Sequence, residues 1–180
     1  MPQELFDIVD ENNIPTGEIK SRDEVHREKK DWHRTTNIWI INNRGEVLCQ
    51  QRSWKKDGNP GMWQSFFGGH VKSGQTVEEC LRDELVEEVG IDILKSSIQP
   101  VFLNIRRGET AKHFGYTYFL EWNGNIEDIM FNDGEVERVV WLDIPTLQSR
   151  IDAGGFCNVI TDSVREYLKS IGFRNSFIER

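Results

Sequence analysis

The sequence predicts an α+β protein in which a mixed β-sheet is covered by α-helices. Strand patterns and helix patterns intermix along the chain without the strict strand-helix-strand rhythm of a parallel, doubly wound sheet. The 180 residues fit one domain of ordinary size, and neither a repeat of fixed period nor a low-complexity tract is present. Turn and capping residues then indicate where each element begins and ends.

The chain begins with a predicted strand and a short helix. Apolar and polar residues alternate over residues 4–10, which predicts a strand that ends at the turn pair 12–13, Asn-Asn. Ser21 and Glu24 form a capping-box pattern, so a helix is expected to start there and to run to about residue 28.

A hairpin and a loop follow. Two strands, over residues 37–41 and 47–51, flank a turn sequence at 42–45, and this arrangement predicts a β-hairpin. Residues 54–62 combine lysines with glycine and proline, a composition that predicts a loop.

The middle of the chain contains a long helix and two strands. The helix is predicted over residues 76–89, with Gly90 as its stop. Strands are predicted over 98–105 and 112–122, because a polar turn at 106–109 separates two runs of strand-forming residues.

One strand and two helices close the chain. The strand is predicted over residues 136–142, and the helices over 145–153 and 159–171. Pro145 stands at the start of the first of these helices and two glycines follow its end, which is the usual placement of both residue types.

Charge and composition exclude several classes of partner. The chain has 22 basic and 30 acidic residues, a net charge of −8, and no basic block that could neutralise a row of phosphates. Polymeric nucleic acid and an anionic membrane surface are therefore not expected as partners. No apolar run approaches the roughly 20 residues that span a bilayer. The N-terminus lacks a secretory pattern and the three cysteines are widely spaced, so a cytoplasmic location is expected.

Three glutamates of the predicted 76–89 helix share one side of it. Glu84, Glu87 and Glu88 are spaced i, i+3 and i+4, and two of them interrupt the apolar stripe of the helix. Carboxylates gathered at the margin of a core repel one another unless a cation lies between them. Mg²⁺ takes oxygen ligands and shares its remaining positions with water and phosphates. The pattern indicates either a divalent-metal site or ion pairs with lysines or arginines of a neighbouring element.

A glycine-rich loop over residues 65–74 leads directly into this helix, and glycines let backbone groups approach a ligand closely. Loop and helix together resemble the Nudix box, G-x5-E-x7-R-E-U-x-E-E-x-G-U, in which U is a bulky aliphatic residue. Seven of its nine specified positions are met, at Gly69, Glu84, Leu85, Glu87, Glu88, Gly90 and Ile91. The resemblance implies the Nudix fold, a mixed β-sheet sandwiched between α-helices.

Two positions of the box differ from the family pattern. Gln75 stands where the family has glutamate, and Asp83 stands where it has arginine. In the family these two residues are thought to bridge each other and to brace the loop against the helix. Because both members of this pair are replaced, neither the glutamate nor the arginine of the family pattern is left without its partner. We expect Gln75 to hydrogen-bond Asp83 instead. The altered brace leaves open a weakly active or inactive Nudix domain that binds or senses a ligand.

Outside the box the resemblance covers roughly residues 5–147. Segments such as 32–34 (Trp-His-Arg) and 60–63 (Pro-Gly-Met-Trp) are similar to the Nudix branch that resembles type I isopentenyl-diphosphate isomerase. That isomerase uses a cysteine where this chain has Gly68, and none of the three cysteines fills the gap. Isomerase chemistry needs that thiol with a partner carboxylate, and is therefore disfavoured.

The resemblance implies roles for individual residues of the box. Glu84, Glu87 and Glu88, together with the Gly69 carbonyl, are expected to bind Mg²⁺ or Mn²⁺ and to be the catalytic carboxylates. Glu84 is expected to activate the attacking water or to bridge metal ions. Glu135 is a further catalytic candidate at the start of a late strand, and its alternative is a solvated turn residue.

Substrate contacts are expected from Arg52, His33 and His70. Arg52 precedes the loop that leads to the box, where positive charge would face a diphosphate, whereas Lys55 and Lys56 are more simply solvated. The two histidines match positions of the related branch and could orient phosphate or metal, or serve the structure alone. The aromatic residues of this region could line a site for a base or an isoprenoid tail, or belong to the core.

The sequence thus predicts a metal-dependent Nudix hydrolase that cleaves a diphosphate linkage in a nucleoside diphosphate derivative or a related small diphosphate. We expect one Nudix domain over residues 1–180, with its core at about 30–147. Residues 1–29 would add a strand and a short helix, and residues 148–180 would form C-terminal helices. Those helices could mediate a homodimer or only cap the sheet.

Overall fold

The computed structural model describes residues 4–56, 58–95 and 98–171. The strands in these ranges are β1 (Leu5–Val9), β2 (Pro15–Ser21), β3 (His33–Ile41), β4 (Glu46–Arg52), β5 (Trp63–Gln64), β6 (Val101–Gly108), β7 (His113–Glu121) and β8 (Val136–Asp143). The helices are α1 (Arg22–Glu28), α2 (Val77–Val89), α3 (Ile144–Asp152) and α4 (Asp162–Ser170), and a short 3₁₀ turn covers Ile126–Asp128.

Strands β3 to β8 form one mixed sheet, as predicted. Its centre is the parallel pair of β3 and β7, in register from His33 opposite His113 to Ile41 opposite Glu121. On one side β6 runs antiparallel to β7, and on the other β4 pairs with the short β5 and with β8. β1 and β2 form a separate two-stranded sheet.

The predicted hairpin between β3 and β4 is present but short. The two strands are neighbours, but they pair only at Ile41 and Val47. The glycine loop takes up much of the remaining edge of β3, where the Thr36 amide donates to the Gly69 carbonyl at 2.9 Å. β4 pairs along its length with β8 instead. The loop is thereby fixed against the central strand of the sheet.

Strand β2 was not predicted from the sequence. Its residues are exposed over most of the strand, so neither face carries the apolar alternation that marks a half-buried strand. The strand exists because its backbone pairs with β1, from Leu5 opposite Ser21 to Val9 opposite Pro15.

Alternate side chains of β3 enter two separate cores. Trp39 and Ile41 pack with residues of α3 and α4, whereas Ile38 and Ile40 pack with the apolar stripe of α2. Helices therefore cover both faces of the sheet, which confirms the predicted layer order. In the described ranges, no helix is long and apolar enough to cross a membrane.

The ends of α2 follow the sequence signals. Thr76 and Glu79 form a capping box, in which the Glu79 amide donates to the Thr76 hydroxyl and the Thr76 amide donates to the Glu79 carboxylate. Gly90 ends the helix with φ of 71°, a left-handed conformation that favours glycine.

The last helix is shorter than predicted, whereas α3 keeps the predicted length and begins one residue earlier. α4 begins at Asp162 rather than at residue 159, because Thr161 is its N-cap in an extended conformation. Residues 172–180, part of the expected C-terminal segment, lie outside the described residues.

Candidate metal centre

The carboxylates of α2 face the glycine loop. The Glu88 side chain is only 3% exposed, and its Oε2 accepts a hydrogen bond from the Gly68 amide at 2.7 Å. Glu84 lies against the next residue, since a Cβ added at Gly69 would be 2.3 Å from Glu84 Oε1. A side chain at position 69 would therefore displace the Glu84 carboxylate from its place against the loop. The spacing of the box residues thus produces a compact acidic site.

The electrostatics of this site are unfavourable without a cation. Burial, together with the charges of the neighbouring Glu87 and Glu135 carboxylates, raises the pKa of Glu84 to about 8. Burial and the charge of Glu84 also raise the pKa of Glu88 well above its ordinary value, against the opposing effect of the Gly68 hydrogen bond.

The alternative that these glutamates form ion pairs is not supported. Among the residues that the structure describes, no lysine or arginine nitrogen lies within 4.0 Å of the carboxylates of Glu84, Glu87 or Glu88. The Gly69 carbonyl accepts one hydrogen bond, from Thr36, and a carbonyl oxygen has a second lone pair. The donors gathered here are all hard oxygens around poorly compensated negative charge. This set fits Mg²⁺ or Mn²⁺.

Glu135 adds a further carboxylate to the surroundings of the acidic site. It immediately precedes β8, its carbonyl accepts the Ser53 amide at 2.8 Å, and its charge raises the pKa of Glu84. Its carboxylate forms an ion pair with Lys56. Glu135 is therefore a member of the charged cluster rather than an isolated turn residue.

Two charged residues of this cluster were not among the site residues predicted from the sequence. Lys56, read as a solvated loop residue, has a largely buried side chain and lowers the pKa of both Glu84 and Glu88. Asp133 has a raised pKa caused mainly by burial, and its charge raises the pKa of Glu88. The Asp-Gly pair at 133–134 is a turn signal, so nothing in the local sequence indicated a site residue.

The predicted replacement of the family's brace is present. Gln75 Nε2 donates to Asp83 Oδ2 at 2.9 Å, and Gln75 Oε1 accepts the Lys72 amide at 3.0 Å. Arg82 pairs with the other oxygen of Asp83 at 3.3 Å. A neutral hydrogen bond thus connects the loop to the helix where the family pattern has an ion pair.

Arg52 holds the loop that precedes the box. Its Nε and one terminal nitrogen donate to the Gly58 carbonyl, at 3.0 and 2.8 Å, and the other terminal nitrogen donates to Gln64 Oε1 at 2.8 Å. These bonds use three of the five guanidinium N–H groups. A contact to substrate would have to use the remaining two.

His33 and His70 lie together with His26 in a separate cluster. The Nε2 atoms of His26 and His70 are 3.1 Å apart, and nitrogens of all three rings lie within 4.8 Å of one another. Phe6 stacks on His33 and His70, with ring centroids at 5.4 and 4.8 Å.

Burial keeps the imidazoles of this histidine cluster neutral at pH 7. It lowers the pKa of His33 to about 4 and lowers those of His26 and His70 as well. Neutral imidazoles are nitrogen donors of the kind that Zn²⁺ takes, unlike the oxygen donors of α2. Their lack of charge makes them poor partners for a diphosphate.

Gly68 occupies a backbone conformation that a cysteine would not tolerate. Its φ is +127°, and a Cβ there would lie 2.3 Å from the Thr36 carbonyl oxygen. Both strain and collision oppose any side chain at this position. The structure therefore gives a physical reason against an isomerase-type thiol in this loop.

Comparison with known proteins identifies the family. The model of the NUDIX domain matches residues 31–156, well over half of the chain. The chain belongs to the Nudix family. An uncharacterized Nudix hydrolase of Clostridium acetobutylicum is 32% identical over 159 residues, covering 84% of this chain and 76% of that protein. Nudix hydrolase 3 of Arabidopsis thaliana is 36% identical over 104 residues, and the match spans 57% of this chain but only 13% of that protein.

Relatives of the Nudix chain also include an isomerase. The isopentenyl-diphosphate Delta-isomerase of Pectobacterium atrosepticum is 29% identical over 157 residues, covering 84% of this chain and 83% of that protein. Among solved structures, DR0079 from Deinococcus radiodurans superimposes with a TM-score of 0.71 at 24% identity, covering 93% of this chain and 98% of that one. This structural likeness confirms the Nudix fold.

Proposed function

We propose that this Nudix chain is a metal-dependent hydrolase that cleaves the diphosphate linkage of a nucleoside diphosphate derivative or a related small diphosphate. One observation carries the proposal: Glu84 and Glu88 are packed against the Gly68-Gly69 loop without a cationic partner among the described residues. Such a site is stabilised by a divalent cation and can accept a ligand that brings phosphate oxygens.

Four groups would hold the cation: the carboxylates of Glu84, Glu87 and Glu88 and the Gly69 carbonyl. When bound, Mg²⁺ or Mn²⁺ supplies a positive charge that polarises a phosphoryl oxygen and offsets the charge that builds up during attack. Gly69 leaves space for this arrangement because it has no side chain.

Glu84 would act as the base in the reaction. A water oxygen attacks one phosphorus, the bond between that phosphorus and the bridging oxygen breaks, and the water proton passes to a Glu84 carboxylate oxygen. In the metal-free fold the pKa of Glu84 is raised, so its carboxylate would be ionised and able to accept this proton once a bound cation compensates the negative charge of the site. The Lys56–Glu135 ion pair would place one positive and one negative charge at the rim of the site.

The proposal is tested by product formation on a panel of nucleotide and isoprenoid diphosphates with Mg²⁺ or Mn²⁺. We expect turnover that stops with EDTA and that falls at least about a hundredfold in Glu88→Gln, which keeps an acceptor for the Gly68 amide. Glu78→Gln is the matched control, because Glu78 lies exposed on the same helix. Absence of turnover on the whole panel, or turnover that Glu88→Gln leaves unchanged, would overturn the proposal.

Two other functions are distinguished by the same preparations. A ligand-binding Nudix domain would bind nucleotide tightly and form no product, although the Gln75–Asp83 hydrogen bond argues against a broken brace. An isomerase would exchange protons of isopentenyl diphosphate in deuterated water, and the conformation of Gly68 argues against it.

A further inference from the structure

The glycine loop that faces the α2 carboxylates is held from two sides. On one side, the Val71 amide donates to the Arg34 carbonyl of β3 at 3.0 Å. On the other side, the Ser73 amide donates to the Leu5 carbonyl of β1 at 2.7 Å. The end of the loop that leads into α2 is therefore in direct contact with the N-terminal strand, which lies outside the residues that the NUDIX model matches.

The Asp7 side chain reinforces this contact. Its Oδ1 accepts a hydrogen bond from the Ser73 hydroxyl at 2.6 Å, and its Oδ2 accepts one from the Gly74 amide at 3.1 Å. Hydrogen bonds to an ionised carboxylate are roughly twice as strong as bonds between neutral groups. We call these two bonds the Asp7 clamp. Both oxygens of one carboxylate thus bind consecutive residues of the loop.

Aromatic packing adds a further contact between β1 and the loop. Phe6 is fully buried and stacks on the His70 ring, with the ring centroids 4.8 Å apart. Successive side chains of a strand point to opposite faces, so Phe6 and Asp7 contact the loop with opposite faces of β1. The strand therefore contacts the loop through its side chains at three positions, His70, Ser73 and Gly74.

The loop residues next to these contacts carry the groups of the acidic site. The Gly68 amide donates to Glu88, and Glu84 lies where a side chain of Gly69 would be. Because the loop is continuous from β3 to the start of α2, a shift of its end at residues 73–74 changes the path of the whole loop. The contacts with β1 thus control how closely the loop approaches the α2 carboxylates.

An anchor outside the Nudix box matters in this chain because the brace inside the box is altered. Gln75 and Asp83 form a single hydrogen bond at 2.9 Å in place of the ion pair of the family pattern. The Asp7 clamp holds the two residues immediately before Gln75. The loop is thus connected to the helix by a neutral side chain of its own and to β1 by a carboxylate.

We propose that Asp7 is a positioning residue of the metal centre. By holding Ser73 and Gly74, its carboxylate keeps the Gly68 amide and the Gly69 carbonyl in place beside the α2 carboxylates. The inference rests on the proposed function, because the Gly69 carbonyl is a ligand only if a cation binds there. Asp7 acts through the loop and is not one of the proposed metal ligands.

Three substitutions separate the hydrogen bonds of Asp7 from its charge. Asp7→Ala removes both bonds. Asp7→Asn removes the charge but keeps both contacts, because its amide oxygen accepts the Gly74 amide while its NH₂ group donates to the Ser73 hydroxyl oxygen. Glu11→Ala, in the exposed turn between β1 and β2, is the matched control for the loss of an acidic residue next to the same strand.

The first measurement is the affinity for Mn²⁺ at pH 7, from electron paramagnetic resonance of the free ion. We expect about tenfold weaker binding to Asp7→Ala, because groups that orient metal ligands contribute about ten- to a hundredfold to affinity. Asp7→Asn should bind within about threefold of the wild type, and Glu11→Ala should bind as the wild type does. Binding to Asp7→Asn that is as weak as binding to Asp7→Ala would overturn the positioning role, since the charge and not the clamp would then matter.

The second measurement needs no metal. Amide hydrogen exchange of the metal-free protein, followed by nuclear magnetic resonance, should be at least about tenfold faster at Gly68 in Asp7→Ala than in the wild type. The amides of the β3–β7 pair should be accelerated far less. Equal acceleration of both groups of amides would indicate a loss of overall stability alone and would overturn the positioning role.

Ser73→Ala keeps the test decisive if Asp7→Ala does not fold. It removes only the hydroxyl bond of the Asp7 clamp, so it should weaken Mn²⁺ binding about threefold and accelerate exchange at Gly68. A Ser73→Ala protein that is unchanged in both quantities would contradict the inference.

Failure of this inference is distinguishable from failure of the proposed function. Equal Mn²⁺ affinity and equal Gly68 exchange in Asp7→Ala and the wild type would overturn the positioning role, while weaker Mn²⁺ binding to Glu88→Gln would leave the metal centre standing. The expected loss of Mn²⁺ affinity in Asp7→Ala, without turnover of any diphosphate by the wild type, would refute hydrolysis and support the positioning role.

Discussion

Substituting Glu84 with glutamine should stabilise the metal-free protein, although Glu84 is central to the proposed site. The pKa of Glu84 is about 8 in the fold, against 4.5 for an ordinary glutamate, because of burial and the neighbouring carboxylates. At pH 7 the unfolded chain releases this proton freely, whereas the folded chain retains it. The linkage lowers the free energy of unfolding by about 3 kcal/mol at pH 7.

The sign of this effect defines its pH window. The pKa of Glu84 is raised in the fold, so its contribution to stability is fully present below pH 4.5 and is lost as the pH rises to about 8. Glutamine does not titrate. The free energy of unfolding of Glu84→Gln should therefore exceed that of the wild type by about 3 kcal/mol at pH 7 and by almost nothing at pH 4.5. The excess should be larger again at pH 8.

Urea unfolding in EDTA, at these three pH values, measures the difference directly. Glu78→Gln is the control, because it removes an exposed carboxylate from the same helix and should change stability little at any pH. Added Mg²⁺ should stabilise the wild type and have a smaller effect on Glu84→Gln. A metal-free Glu84→Gln protein that is no more stable than the wild type at pH 7, or whose excess stability does not grow with pH, would refute this reasoning.

Three further predictions concern the histidine cluster and the glycine loop. The pKa of His33 is about 4 in the fold, against 6.5 for an ordinary histidine. The free energy of unfolding of the wild type should therefore fall by about 3 kcal/mol as the pH drops from 6.5 to 4, as measured by urea unfolding. That of His33→Asn should fall less over the same range. Gly68→Ala should lower the unfolding midpoint far more than Gly74→Ala, because both glycines have positive φ but only the first would collide with a backbone carbonyl. The Gln75→Glu, Asp83→Arg double variant should change the kcat of diphosphate hydrolysis less than about threefold, since a hydrogen bond already connects these residues.

Each of these predictions has a clear contrary result. Equal losses of stability in His33→Asn and the wild type would show that the imidazole is not the group that titrates. Equal midpoints for Gly68→Ala and Gly74→Ala would contradict the close approach to β3. A rise in kcat well beyond threefold in the double variant would show that the neutral hydrogen bond is a poor substitute for the ion pair.

The acidic helix could be predicted from the sequence because its signals are local. Thr76, Glu79 and Gly90 mark its ends, and the spacing of Glu84 and Glu88 places both on the side that packs against the sheet. Whether these glutamates bind a metal ion or form ion pairs with lysines depends on the neighbouring elements of the fold, which the local sequence does not specify. Only the fold shows that no cationic side chain among the described residues pairs with them.

Features that depend on distant pairing could not be predicted. The Asp7 clamp exists only because β1 lies beside the glycine loop in the fold. The histidine cluster likewise needs α1, β3 and the glycine loop to meet. Strand β2 has no alternation of buried and exposed residues that the sequence could indicate. The ion pair of Lys56 with Glu135 forms only because the loop that carries Lys56 lies beside Glu135 in the fold.

The most direct test of the central claim is Mn²⁺ binding to the α2 carboxylates, followed by electron paramagnetic resonance of the free ion. The account predicts saturable binding to the wild type and to Glu78→Gln, and at least about tenfold weaker binding to Glu88→Gln, which loses one charged ligand but keeps its hydrogen bond to Gly68. Equal affinity of Glu88→Gln and the wild type would contradict it.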